Sequence, residues 1–465
     1  MRLFENLALF TMLLGLAWSF APEKRRPRTI LYLPLLIWAL LAVHIIVEGA
    51  RWQMVPAYLF ALGLTLNNLR LLRRKQPAQP LHPFLRLLLV ALFLVLFLVI
   101  YQLPQILPVF TLPDPGGRYA VGTTSLTLVD SARAETFTAN PDDQREVAIR
   151  IWYPADPAAK ARPARYGFDH ADYAGFLAAE LGLPPMILSH LRLVKTHSLP
   201  DVPLAADGIV FPVVLFSHGY RLGYLEQNTS LMETLASNGY VVISLAHPYE
   251  AIAAPLADGS TARLLSAVKD RFMESAVEQE KSLQVWAADT RFVMDMLESI
   301  QPDSPLALLA GRLDLEHLGL AGMSFGGSTA ALVCLEDSRC KAGLTLDSPQ
   351  YSAVEAGEMA QPFLFMVSDN GQYLKREVYE RATGVAYLVT VKGTEHYNFT
   401  DLTLISPMLA ALDFSGPIDG QQMVRILNAY PLAFFDKHLK GLPASLLNGI
   451  SAEYPEVLIE SRNTQ

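Results

Sequence analysis

The sequence predicts an α/β protein: a mostly parallel central sheet with helices on both faces, preceded by a transmembrane region of four apolar helices. Three observations carry that prediction. Apolar runs crowd into roughly the first quarter of a 465-residue chain that is 51 % hydrophobic. Beyond them, short β-branched runs alternate with helix-period stretches, as in successive strand–helix units. Near residue 324 a strand-like run turns into a small-residue helix through Gly-Met-Ser-Phe-Gly, a sharp corner with a hydroxyl at its tip.

Residues 3–20, 29–47, 53–69 and 84–102 each approach the length that crosses a bilayer, and residues 1–110 form the expected membrane region. Lys24, Arg25, Arg26 and Arg28 separate the first two runs, and Arg70, Arg73, Arg74 and Lys75 the last two, whereas residues 48–52 offer only Arg51. The positive-inside rule puts both basic segments in the cytoplasm and everything after about residue 103 outside. A cleaved signal peptide fits residues 3–20 poorly, because the positive charges follow the apolar run instead of preceding it. Glu5, His44 and Glu48 fall near the outer ends of their spans, where ionisable groups can reach the interface.

Eleven Lys+Arg against three Asp+Glu give residues 1–110 a charge of +8, so the remainder of a chain with net −8 carries −16. That is an acidic exported domain on a basic membrane module, with the bilayer as a partner and no nucleic acid. The two cysteines, Cys334 and Cys340, lack the spacing of a zinc site, so no metal is expected, and two separate buried thiols fit as well as a disulfide.

Residues 111–465 form the expected catalytic domain. Strands are expected at 124–129, 146–154, 211–218, 240–248, 318–323, 342–347, 362–369 and 386–393, with helices at 226–238, 276–300, 326–337 and 421–440. The first strands read as antiparallel and the rest as parallel. An apolar insertion at 157–208, helical in pattern around 173–193, breaks the rhythm and suits a cap over a site, a membrane contact or ordinary packing.

A serine hydroxyl attacks a carbonyl only when a base takes its proton and donors hold the oxyanion. Ser324 lies between Gly322 and Gly326, after strand 318–323 and before a helix starting near 326. This is the pattern of the nucleophile elbow in the α/β-hydrolase fold, in which the partners follow in the order Ser, acid, His. His396, in the loop "KGTEHYNF", is the expected base; His438, in the helical "LAFFDKHLKG", is expected to face solvent. Asp347 and Asp369 end the next two strands, and sequence order does not choose between them. The oxyanion donors are the backbone N–H of Phe325 and that of Tyr220, in "VVLFSHGYRLG", where His218 suits a loop-ordering role. The sequons at Asn228 and Asn398 read as coincidental.

"FPVVLFSHGY", "LAGMSFGGSTA", "LTLDSP", "VKGTEHYNFTDL", "EVAIRIWYPAD" and "LAFFDKHLKG" resemble the secreted platelet-activating factor acetylhydrolases, the lipoprotein-associated phospholipases and their bacterial relatives, over about residues 118–440. The resemblance implies a nucleophile at Ser324, an acid at Asp347 in preference to Asp369, and a base at His396. It also implies short or oxidised acyl esters of glycerophospholipids as substrates, with no calcium and no cofactor. Met323 departs from the pattern, which often has His there, and the four apolar segments lie outside it. The readings set against it are a generalist carboxylesterase or dienelactone-hydrolase-like enzyme and a non-catalytic lipid-binding scaffold.

Overall fold

The computed structural model describes residues 2–20, 32–73, 82–167, 172–205, 208–301 and 303–464. The start of the expected 29–47 span and the basic residues Lys24, Arg25, Arg26, Arg28, Arg74 and Lys75 lie outside them. The chain divides into two compact units, Met1–Phe110 with Pro184–Val194, and Thr111–Leu183 with Lys195–Gln465. Residues 184–194 of the expected insertion at 157–208 fall in the first unit.

The first unit contains α1 (Leu3–Ser19), α2 (Leu33–Val43), α3 (Val55–Arg73) and α4 (Pro83–Ile106), with a π-helical turn at His44–Glu48. Leu9, Met12, Ile37, Leu41, Phe60 and Phe97 form its core. Among the described residues only α4, with 24 residues, is long and apolar enough to cross a membrane. That corrects the expectation of four transmembrane helices. A span needs about 20 apolar residues, whereas α1 has 17 and α3 carries Asn67, Asn68, Arg70 and Arg73 in its second half. Glu5 and His44 also differ from expectation, being fully buried instead of interfacial. Arg51 grips Glu5 through Nε–Oε1 at 2.7 Å and Nη2–Oε2 at 2.6 Å, and His44 lies between Glu48 (3.0 Å) and the Tyr58 hydroxyl (2.9 Å).

The second unit is built on β1 (Ala120–Ala134), β2 (Gln144–Ala155), β3 (Ser198–Pro200), β4 (Phe211–Ser217), β5 (Val241–Ala246), β6 (Ala253–Pro255), β7 (Thr261–Arg263), β8 (Leu313–Met323), β9 (Cys340–Leu346), β10 (Phe363–Val367), β11 (Ala386–Val391) and β12 (Val457–Arg462). Its helices are α5 (Tyr173–Glu180), α6 (Thr229–Ser237), α7 (Ser266–Glu274), α8 (Ala276–Glu298), α9 (Phe325–Glu336), α10 (Ser352–Ala356), α11 (Arg376–Glu380) and α12 (Gly420–Lys440). All strands but β6 and β7 join one sheet in the order β12-β11-β10-β9-β8-β4-β5-β2-β1-β3. From β5 to β11 the neighbours are parallel; β1, β2 and β5 pair antiparallel as expected, and β12 adds an unexpected antiparallel edge.

Side chains alternate across a strand, so each central strand feeds two cores. Phe211, Val213 and Leu215 of β4 pack with Trp286, Leu283 and Val293 of α8. Val214 and Phe216 pack on the other face with Leu235 of α6 and Phe434 of α12. After β4 the chain builds β5 on one side and β8 on the other. Ligands in open α/β sheets bind at such a reversal, beyond the carboxyl ends of the strands, and the loops after β4 and β8 meet there.

Candidate active site

Ser324 occupies the corner between β8 and α9 with φ 54° and ψ −124°. A non-glycine residue held there costs on the order of 1–3 kcal/mol, and the glycines around it show what enforces the turn. A Cβ on Gly322 would lie 2.3 Å from the carbonyl carbon of Gly326, and one on Gly326 would lie 2.1 Å from the Ser217 carbonyl oxygen. Strand, helix and the end of β4 are thus pressed together, and the serine side chain is left only partly buried.

Ser324 Oγ lies 3.0 Å from His396 Nε2, and His396 Nδ1 lies 2.7 Å from Asp347 Oδ2. Asp347, just past β9, is fully buried and also has positive φ, at 46°. Its other oxygen accepts the Ser368 N–H at 2.8 Å. Asp369 instead accepts the Gly393 N–H at 2.9 Å, so of the two carboxylates left open by sequence order only Asp347 reaches the imidazole. The His396 loop is held from beneath by buried Asn398, whose side-chain oxygen accepts the N–H groups of Glu395 (2.8 Å) and Gly416 (2.6 Å). Asn228 is buried too, donating to the Phe399 carbonyl at 2.8 Å. Both sequon asparagines are structural.

Of the other sequence candidates, Tyr220 lies in the loop after β4 and Phe325 opens α9. A Cβ added to Gly219 would sit 3.4 Å from Ser324 Cβ, which brings this loop against the serine. Among the described residues the N–H groups of Tyr220 and Phe325 have no backbone acceptor. Phe325 also begins a 12-residue helix, whose positive dipole end favours negative charge at that place. Met323 is buried below the turn. His438 differs from expectation: it is half-buried against Phe434 and Tyr387, with Nε2 3.2 Å from the Tyr387 hydroxyl, and burial pushes its pKa down to about 4. An α12 position adjoining the sheet, not the period of the helix, decides this.

Sequence reasoning missed Tyr373, whose ring centroid is 4.6 Å from that of His396, and Tyr397, stacked at 4.2 Å on Phe414. It also missed Gln227, whose side-chain oxygen takes the Gly219 N–H at 2.8 Å. Only Tyr397, beside His396 in the chain, gave a local signal. Cys334 and Cys340, open in the sequence, are joined as a disulfide. The only potential metal-ligand group among the described residues is Glu5, His44 and Glu48. Arg2 and Arg51 take the Glu5 oxygens, the Phe4 N–H takes one Glu48 oxygen and the Tyr58 hydroxyl meets His44 Nε2, while His44 Nδ1 and the other Glu48 oxygen pair with each other.

Residues 107–444 match the family model described as platelet-activating factor acetylhydrolase, isoform II. The guinea pig (Cavia porcellus) platelet-activating factor acetylhydrolase is 26 % identical over 360 residues, 71 % of this chain and 78 % of that one. A probable 1-alkyl-2-acetylglycerophosphocholine esterase of Arthroderma benhamiae is 25 % identical over 398 residues, 75 % of this chain and 93 % of the other. Among solved structures, a ferulic acid esterase from Streptomyces cinnamoneus superposes with a TM-score of 0.60 at 26 % identity, covering 76 % of this chain and 99 % of its own. The chain belongs to the platelet-activating factor acetylhydrolase isoform II family, and its relatives and structural neighbour together support an ester hydrolase.

Proposed function

We propose that this family member is a serine carboxylic ester hydrolase that works through an acyl-enzyme, with Ser324 as nucleophile, His396 as general base and Asp347 as the acid that orients it. The observation that carries the reading is the 3.0 Å contact from Ser324 Oγ to His396 Nε2, with Asp347 2.7 Å behind the ring. His396 takes the hydroxyl proton as Oγ attacks the ester carbonyl. The N–H groups of Phe325 and Tyr220 hold the tetrahedral oxyanion, and the imidazolium returns the proton to the leaving alkoxide. Water then enters by the same route, giving up a proton to His396 and releasing the acid. Asp347 keeps the Nδ1–H tautomer in place and stabilises the transient positive charge.

Short or oxidised acyl esters of a glycerophospholipid are the proposed substrates, on the strength of the family. A generalist esterase is the second reading, favoured by the ferulic acid esterase likeness and by the tyrosines Tyr373 and Tyr397 beside His396. A lipid-binding scaffold without catalysis would have no physical need for a strained serine beside a paired imidazole.

For location, we propose that α4 anchors the chain in a membrane with the hydrolase unit outside. Phe84, Leu87, Leu92, Val95 and Val99 of α4 are all at least 59 % exposed, Arg70, Arg73 and Arg86 lie before or near its start, and the disulfide suits an oxidising compartment. The deciding experiment is labelling by a fluorophosphonate probe of wild type and Ser324→Ala, with turnover on acetyl and long-acyl esters, each free and on phosphocholine lipid. Loss of labelling in the variant and preference for short acyl phospholipid are expected. Labelling that survives Ser324→Ala would overturn the mechanism, and protection of the hydrolase unit from protease in spheroplasts would overturn the topology.

A further inference from the structure

Behind the loop that carries Tyr220 lies a buried polar chain with no part in the mechanism above. Asp289 of α8 is fully buried. Its Oδ2 receives Arg145 Nη2 at 2.6 Å and faces His247 Nδ1 at 2.8 Å, and Oδ1 receives Arg133 Nη2 at 2.8 Å. With two guanidiniums on Asp289 the carboxylate is held charged, its pKa well below the usual range despite burial, so His247 Nδ1 is the protonated nitrogen. His247 stacks on Trp286 at 3.8 Å. Its backbone N–H points to His218 Nε2 at 3.3 Å, which makes Nε2 the acceptor of the His218 ring and Nδ1 its donor. Burial pushes His218 down to about 3, so the ring is neutral with one donor and one acceptor, as this chain requires.

His218 Nδ1 donates to the carbonyl oxygen of Gly219 at 2.8 Å. That carbonyl belongs to the Gly219–Tyr220 peptide, whose other polar group is the Tyr220 N–H. A trans peptide is planar, with its C=O and N–H pointing opposite ways, so fixing the oxygen aims the hydrogen. The carbonyl is also sealed in place from a second side. A Cβ on Gly223 would lie 2.0 Å from the Gly219 oxygen and 2.3 Å from His218 Nδ1, so only glycine lets the loop close over this bond. Gln227 fixes the preceding N–H of Gly219. Trp286 packs against the rings of both His218 and Phe325, at centroid distances of 5.1 and 4.9 Å.

We propose that Asp289, His247 and His218 form a positioning relay that turns the Gly219–Tyr220 peptide so that its N–H faces the oxygen of the ester attacked by Ser324. The inference rests on the serine mechanism above, and it adds three positioning residues that never touch substrate. Misaiming one of two donors should forfeit part of the 10²–10³ that a whole oxyanion donor contributes.

The test uses the full chain and three variants, with active sites counted by fluorophosphonate titration so that misfolded protein drops out. His218→Leu should lower kcat on p-nitrophenyl acetate by about 10- to 100-fold with KM nearly unchanged, and weaken a trifluoromethyl ketone, which mimics the tetrahedral state, by the same factor. His218→Asn, whose amide nitrogen can still reach the Gly219 carbonyl, should recover most of that loss, and His247→Leu should fall between. A kcat for titrated His218→Leu within about threefold of wild type, a loss confined to KM, or an Asn variant as poor as Leu would each overturn the relay. If wild-type Ser324 takes up no probe, the serine mechanism itself fails; a labelled enzyme indifferent to His218 sinks the relay alone.

Discussion

Two Ser–His–Asp sets lie close together in this molecule and differ little in their distances. In one, Ser324, His396 and Asp347 stand at 3.0 and 2.7 Å; in the other, Ser217, His247 and Asp289 stand at 3.3 and 2.8 Å. Their surroundings differ in every respect that matters for chemistry. The His396 side chain is 17 % exposed while that of His247 is fully buried. Ser324 sits at a strained corner beside N–H groups without a backbone acceptor, whereas Ser217 ends a regular strand in the core. Asp289 is neutralised by Arg145 and Arg133, while the described residues place no cation on Asp347. In the first set the three residue types stand where substrate can arrive and charge can develop, as the proposed catalysis requires; in the second, where neither is possible, they serve rigidity. A triad is recognised by access and oxyanion donors, not by proximity alone.

The largest expected contrast is between the serines. Ser324→Ala should reduce kcat on the order of a millionfold and abolish fluorophosphonate labelling, while Ser217→Ala protein should still label at Ser324; probe found on Ser217 would dissolve the distinction. Next come the carboxylates at the two neighbouring strand ends. Asp347→Asn should cost about 10⁴ in kcat through the wrong imidazole tautomer, and Asp369→Asn, an exposed loop residue, no more than about threefold; comparable losses would move the acid to the neighbouring strand end.

Asp289→Asn should act mainly on folding. Removing one charge from a buried pair costs about 3–5 kcal/mol, seen as a lower urea midpoint, and a variant as stable as wild type would mean that the buried set is not a structural anchor. The smallest effect concerns pH. Glu250, which accepts from the Trp286 indole at 2.7 Å, is pushed up to about 7 by burial, and Asp401 to about 8. An acid whose pKa is raised on folding holds its proton better in the folded chain, so stability is greatest below the unfolded value near 4 and declines as pH rises towards 7 or 8. Glu250→Gln, which keeps the shape of the protonated acid, should therefore gain about 2 kcal/mol more at pH 8 than at pH 5. Thermal melts at both values check this, and equal shifts would reject it.

What could be read from the sequence had a local physical cause. Short, β-branched, near-continuous apolar runs gave β4, β5 and β8 through β11, because strands buried on both faces carry that signature in their own residues. The elbow at Ser324 was legible because only glycines tolerate the closeness of Gly322, Gly326 and the end of β4. The described parts of the four apolar segments are largely helical, but the number of spans was overestimated, since hydropathy does not reveal where a helix ends or that Arg51 and Glu5 would pair inside the unit.

Apolar pattern and motif by themselves determined the α/β class with its largely parallel sheet, the strand–turn–helix corner and the small set of histidines and aspartates near it, but not how many helices are long enough to span a membrane. The tertiary structure put Asp347 and not Asp369 against His396, a choice that strand order left open and the family resemblance favoured; it alone joined Cys334 to Cys340 and walled in a second Ser–His–Asp set with Trp286 and two arginines. The reason is that hydrogen bonds and burial between residues tens of positions apart depend on which strand ends the sheet order brings side by side, and a one-dimensional pattern does not carry that order.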